Sequence, residues 1–71
     1  MNGTELIRKL QRLGKLQGVE VRLDEARGKG SHGRLFYGDR MTTIKDRRKE
    51  LSPGLLAAML KQLGLTRDDL P

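Results

Sequence analysis

Two apolar stripes at helical spacing bracket a stretch that alternates with period two. This double switch of periodicity constrains the fold more than any other feature of the chain. The first stripe is Leu6, Leu10 and Leu13, with Ile7 beside them, the i, i+4, i+7 spacing of one helix face. Arg8, Lys9 and Arg12 fall off the stripe and are expected to face water. Asn2-Gly3-Thr4-Glu5 supplies the start, because Asn2 can accept a bond from a helical amide while Glu5 stands where a capping box wants a carboxylate. Gly14 is expected to end this helix, being free to take positive φ. The second stripe is Leu56, Met59, Leu60 and Leu63. It opens at Ser52-Pro53, an N-cap hydroxyl followed by proline at the first helical position, and closes at Gly64. Thr66-Arg67-Asp68-Asp69 has the spacing of one more capping box, for a short last turn.

Between the stripes, Val19, Val21 and Leu23 alternate with Glu20, Arg22 and Asp24, the pattern of a half-buried strand. Arg27-Gly28-Lys29-Gly30-Ser31-His32-Gly33 breaks it, with three glycines in seven residues, as expected of a turn whose backbone amides can approach a ligand. A second strand is expected from about Arg34 to Tyr37 and a third from Arg40 to Ile44. Gly38-Asp39 between them is a two-residue hairpin turn of type II′ or I′. That turn pairs Tyr37 with Arg40, Phe36 with Met41 and Leu35 with Thr42. Leu35, Tyr37, Thr42 and Ile44 then share the core face. His32, Arg34, Phe36, Met41 and Thr43 share the open one. The expected fold is α+β: a single domain over residues 1–71, ordered α-β-β-β-α, with both helices on one face of a three-stranded antiparallel sheet.

The chain carries a formal charge of +6, a balance that suits nucleic acid or an acidic protein as partner, or serves solubility alone. It has no cysteine and one histidine, which excludes disulfides, thiol nucleophiles and thiolate metal sites. No apolar run approaches the ~20 residues that span a bilayer. Neither that nor the first residues suggest a membrane or secretory segment, and a cytoplasmic protein is expected.

His32 is the one side chain whose ordinary pKa lies near neutrality, so it is the candidate general acid or base. Lys29 and Arg34 flank it, and such neighbours favour the neutral imidazole. The amides of Gly30, Ser31 and His32 can form a nest for a phosphate oxygen. The competing reading is a histidine that merely sits in a turn. Lys45, Arg47, Arg48 and Lys49 form a basic cluster before the second helix, suited to RNA phosphates or simply solvated beside Asp46 and Glu50. Phe36 is a candidate base-stacking surface if it faces outward, or part of a protein interface. The spacing of Asp24, Glu25, Asp46 and Glu50 does not suggest converging metal ligands, so no metal and no small-molecule cofactor are expected. Ser31 as nucleophile is disfavoured, since adjacent strand residues point to opposite faces.

Gly30-Ser31-His32 entering a strand with an aromatic soon after resembles the signature of the HicA toxins. So does the later run Glu50-Leu51-Ser52-Pro53-Gly54-Leu55-Leu56, continued by Met59 to Leu65, which resembles the second helix of that family. Glu5-Leu6-Ile7-Arg8-Lys9-Leu10 resembles its first. The resemblance implies a fold like the double-stranded-RNA-binding domain and an mRNA interferase that needs neither ribosome nor metal. It also implies a HicB-type antitoxin covering the site, and a catalytic role for His32. Many members carry a Pro-x-His element after the third strand. Lys45-Asp46-Arg47 stands there instead, so a two-histidine scheme is not available. The stretch from Lys15 to Lys29 also looks longer than usual. Against this reading stand a non-catalytic RNA-binding module and a DNA-binding or protein-binding factor. For the last, a helix-turn-helix would need adjacent helices, which the intervening strands deny.

Overall fold

The computed structural model describes residues 1–25 and 33–71. Helix α1 spans Gly3–Gln17, strands β1, β2 and β3 span Val21–Glu25, Gly33–Tyr37 and Arg40–Ile44, and helix α2 spans Pro53–Gln62. A 3₁₀ turn at Arg67–Asp69 follows. The strands form one antiparallel sheet in the order β1-β2-β3. This is the expected α-β-β-β-α order.

Helix α1 begins as its sequence dictates. The Glu5 amide donates to Asn2 Oδ1 at 2.9 Å and the Asn2 amide donates to Glu5 Oε1 at 3.1 Å, a complete capping box. Its end differs from the expectation at Gly14. The helix runs one turn further and is capped by Gly18 at φ 69°. Gly14 lies inside it, buried, because β1 enters directly over it: a Cβ there would stand 2.6 Å from the Val19 carbonyl oxygen and 2.7 Å from Val21 Cγ2. This glycine is a contact point between helix and strand rather than a stop.

Helix α2 starts at Ser52, whose hydroxyl accepts from the Leu55 amide at 3.3 Å, with Pro53 in the first turn. Past its C-cap Leu63, Gly64 takes φ 75°. The Gly64 amide donates to the Lys61 carbonyl and the Leu65 amide to the Leu60 carbonyl, the paired bonds of a Schellman ending. The turn at Thr66 forms its capping box with Asp69.

The hairpin register is the one the two-residue turn demands: Tyr37 with Arg40, Phe36 with Met41, Leu35 with Thr42. Gly38 has φ 64° while Asp39 keeps negative φ, the sign pattern of a type II′ turn. Leu35, Tyr37 and Ile44 are buried beneath both helices, in one cluster with Leu6, Ile7, Leu10, Leu13, Leu56, Met59, Leu60 and Leu63, and Thr42 is buried on the same face. The two polar members of the buried layer are both satisfied. The Tyr37 hydroxyl donates to Gln17 Oε1, and the Thr42 hydroxyl donates to Gln62 Oε1. Burial, then the Asp69 carboxylate, pushes the Tyr37 phenol up from its ordinary value. On the other face Arg34, Met41 and Thr43 are exposed and Phe36 is half-buried. Among the described residues, the helices therefore cover one face of the sheet and leave the other to solvent.

Candidate functional site

Strand register decides what gathers at each end of this sheet. Glu25 pairs with Gly33, and Gly33 pairs with Ile44. The last residue of β1, the first of β2 and the last of β3 thus meet at one end of the sheet. The N-terminus of α1 closes on the same place. The Thr4 amide donates to the Arg47 carbonyl at 3.1 Å, and a Cβ on buried Gly3 would come within 2.9 Å of Arg47 Cα. Asn2 bridges to Glu50, the Leu51 amide donates to the Met1 carbonyl, and the Met1 ammonium pairs with Glu50. These contacts tie the Lys45–Glu50 stretch to the body of the protein.

Two of the four cations of this basic cluster, Arg47 and Arg48, engage carboxylates. Arg47 Nη1 lies 2.7 Å from Glu25 Oε1, with both side chains about half exposed. Arg48 Nε lies 3.6 Å from Asp46 Oδ1, which also accepts from the Arg48 amide at 2.9 Å. That amide first, then the Arg48 and Lys49 charges, holds the Asp46 carboxyl below its ordinary value. Lys45 is exposed. The surface pairs are worth little in water and can give way to phosphate. Beside them a groove of about 280 Å³ is lined by Ile44, Leu51, Leu55 and Met59 together with Lys45 and Lys49.

Arg34 and Phe36 project from β2 onto the open face, as expected. Arg34 stands between Asp24 on β1 and Thr43 on β3, and Phe36 between Arg22 and Met41. Sequence reasoning missed one member of this face. The Arg22 guanidinium carbon sits 4.1 Å from the centre of the Phe36 ring, within cation–π range. The alternation of β1 had already turned Arg22 away from Val21 and Leu23. What it lacked was the β1–β2 register, which no short turn supplies. Lys29, Gly30, Ser31 and His32 lie outside the described residues. Among the described residues, Glu25 and Glu50, raised above as possible metal ligands, face Arg47 and the Met1 ammonium.

The arrangement defines a basic α+β protein with an open sheet face and cations at one sheet end. Residues 3–65 match the family described as the HicA toxin of bacterial toxin–antitoxin. The chain belongs to that family, so it is a toxin of a toxin–antitoxin system. No curated protein and no solved structure gives a significant match. Among the described residues, no helix is long and apolar enough to cross a membrane.

Proposed function

We propose that this toxin is an endoribonuclease that cleaves mRNA with His32 as its general base, without a metal, and that an antitoxin of the HicB type silences it. The observation that carries the reading is the family match, which runs through the Gly30-Ser31-His32 segment. The sheet supports it. His32 directly precedes Gly33, whose partner Ile44 directly precedes Lys45. The chain therefore joins the histidine to the sheet end where Lys45, Arg47 and Arg48 gather.

In this scheme neutral His32 removes the proton from a ribose 2′-OH as that oxygen attacks the adjacent phosphorus in line. The bond from phosphorus to the 5′-oxygen breaks, leaving a 2′,3′-cyclic phosphate on one fragment. The departing 5′-oxygen takes a proton from imidazolium, a lysine or water; arginine is too basic to give one up. Lys29, Arg34 and the amides of Gly30 and Ser31 hold the charge that builds on the phosphorane oxygens. Lys45, Arg47 and Arg48 bind flanking phosphates, which makes affinity fall with salt. Phe36 belongs to the part of the open face that receives an unpaired base. The antitoxin presents carboxylates to this basic surface, and the site works in the cytoplasm, where mRNA is met.

The test is cleavage of a single-stranded RNA in excess chelator. The parent cuts it, and His32→Ala cuts it roughly 10²–10⁴-fold more slowly, the usual worth of a general acid or base. A variant that cuts like the parent removes His32 from the mechanism. A parent that binds the RNA and leaves it intact reduces the protein to a binding module.

A further inference from the structure

The row Arg22–Phe36–Met41 crosses the middle of the open face. Arg22 is exposed, Phe36 is half-buried, and Met41 is 42 % exposed. An arginine on an exposed strand ordinarily samples many rotamers. This one lies over a ring, at 4.1 Å from its centre, a contact that favours this placement of the guanidinium before any ligand arrives. The near face of the Phe36 ring is correspondingly taken by the guanidinium.

We infer that Arg22 is the stacking surface for an unpaired nucleobase of the RNA, with Phe36 beneath it as the positioning residue. This rests on the proposed RNA-cutting function and adds to it a residue and a preference for single strands. Guanidinium planes and aromatic rings both serve as stacking surfaces for splayed-out bases. Arg22 combines the two by placing its plane between ring and base. The next row supplies the charge: Arg34 stands on the same face, one row closer to Gly33. Within these two rows Arg22 and Arg34 outweigh Asp24, and the chain's net charge of +6 draws a polyanion to the molecule. A duplex keeps its base faces inside the stack, so it has nothing to lay on this row.

The experiment uses the full chain silenced by His32→Ala and a fluorescein-labelled single-stranded RNA oligonucleotide, with its perfect duplex as comparison. Anisotropy gives the affinities at several salt concentrations, and circular dichroism melts check folding. Arg22→Gln is expected to weaken single-strand binding roughly 5- to 150-fold, the range for one lost stacking contact. Arg22→Lys keeps the charge and the salt dependence but recovers little of that loss. Phe36→Tyr binds like the parent, whereas Phe36→Leu binds like Arg22→Lys. Duplex affinity changes by less than about twofold throughout. The inference is overturned if Arg22→Lys binds single strands like the parent, or if duplex binding falls equally. It is also overturned if RNA binding is unmoved while binding of a purified antitoxin falls, which would assign the row to a protein interface. The nuclease reading is judged separately on chains with His32 intact. A parent that cuts, beside Arg22 variants that bind normally, loses only the platform. A parent that leaves RNA uncut, beside Arg22-dependent binding, loses the nuclease and keeps the platform.

Discussion

Replacing Gly14 with alanine should destabilise this protein, although helix propensity argues the opposite. Alanine in place of glycine inside a helix is favoured by about 1 kcal/mol. Here the new Cβ would stand 2.6 Å from the Val19 carbonyl oxygen and 2.7 Å from Val21 Cγ2. The methyl of Val21 can rotate away. The carbonyl cannot, because Val19 is tied back to the helix by its own amide, which donates to the Gly14 carbonyl at 2.8 Å. Helix and strand must separate, and overpacking of that kind costs typically 1–3 kcal/mol. With a backbone atom as the obstacle we take the upper part of that range. The net loss is then about 1–2 kcal/mol, or roughly 5–15 °C in Tm for a domain of this size. Gly54 provides the control. It lies in the first turn of α2 with nothing within 4 Å of its Cβ position, so Gly54→Ala should be neutral or slightly stabilising. Thermal unfolding followed by circular dichroism reads both. A Gly14→Ala protein that melts at or above the parent refutes the close approach of α1 to the chain entering β1.

Other substitutions probe the remaining supports. Ser52→Ala removes the N-cap of α2 and should cost about 0.5–2 kcal/mol in urea unfolding. Leu35→Ala empties a fully buried position at the centre of the sheet and should cost about 2–5 kcal/mol, enough to unfold much of so small a domain at 37 °C. Tyr37 is the only tyrosine, so its ultraviolet titration is unambiguous. Burial and Asp69 raise its pKa above the ordinary 10.0. Its neutral form therefore stabilises the fold fully below pH 10, and that contribution is lost as pH rises through the higher folded value. The titration midpoint should lie above that of the unfolded chain, and Tyr37→Phe should flatten the loss of stability on the alkaline side.

What the sequence made legible was local in cause. Asn2 with Glu5, Ser52 with Pro53, and Gly38-Asp39 each carry their own geometry. The apolar stripes need only their spacing to name the core face. The features it hid depend on residues far apart in the chain. Gly14 reads as a helix stop until the Val19 carbonyl is known to rest on it, and the true cap, Gly18, lies one turn beyond. Arg47 reads as a free cation of the basic cluster, whereas Glu25 at the end of β1 meets it. Arg22 reads as an ordinary solvent-facing strand residue until the β1–β2 register sets it against Phe36. Of the candidate site, the placement of Arg34 and Phe36 on one open face followed from the hairpin turn alone. Gly30-Ser31-His32 together with the runs of the two helices pointed to the family over nearly the whole chain, and the family match over residues 3–65 agrees.

The chemistry of the cut ends tests the central claim most directly. RNA digested by the parent in excess chelator, with the fragments weighed by mass spectrometry, should show 2′,3′-cyclic phosphate at one new end and 5′-hydroxyl at the other. A 2′-deoxy substitution at the cleaved nucleotide should abolish that cut. Fragments ending in 3′-hydroxyl and 5′-phosphate, or unhindered cutting at the deoxy position, would contradict attack by the ribose hydroxyl and with it the role given to His32.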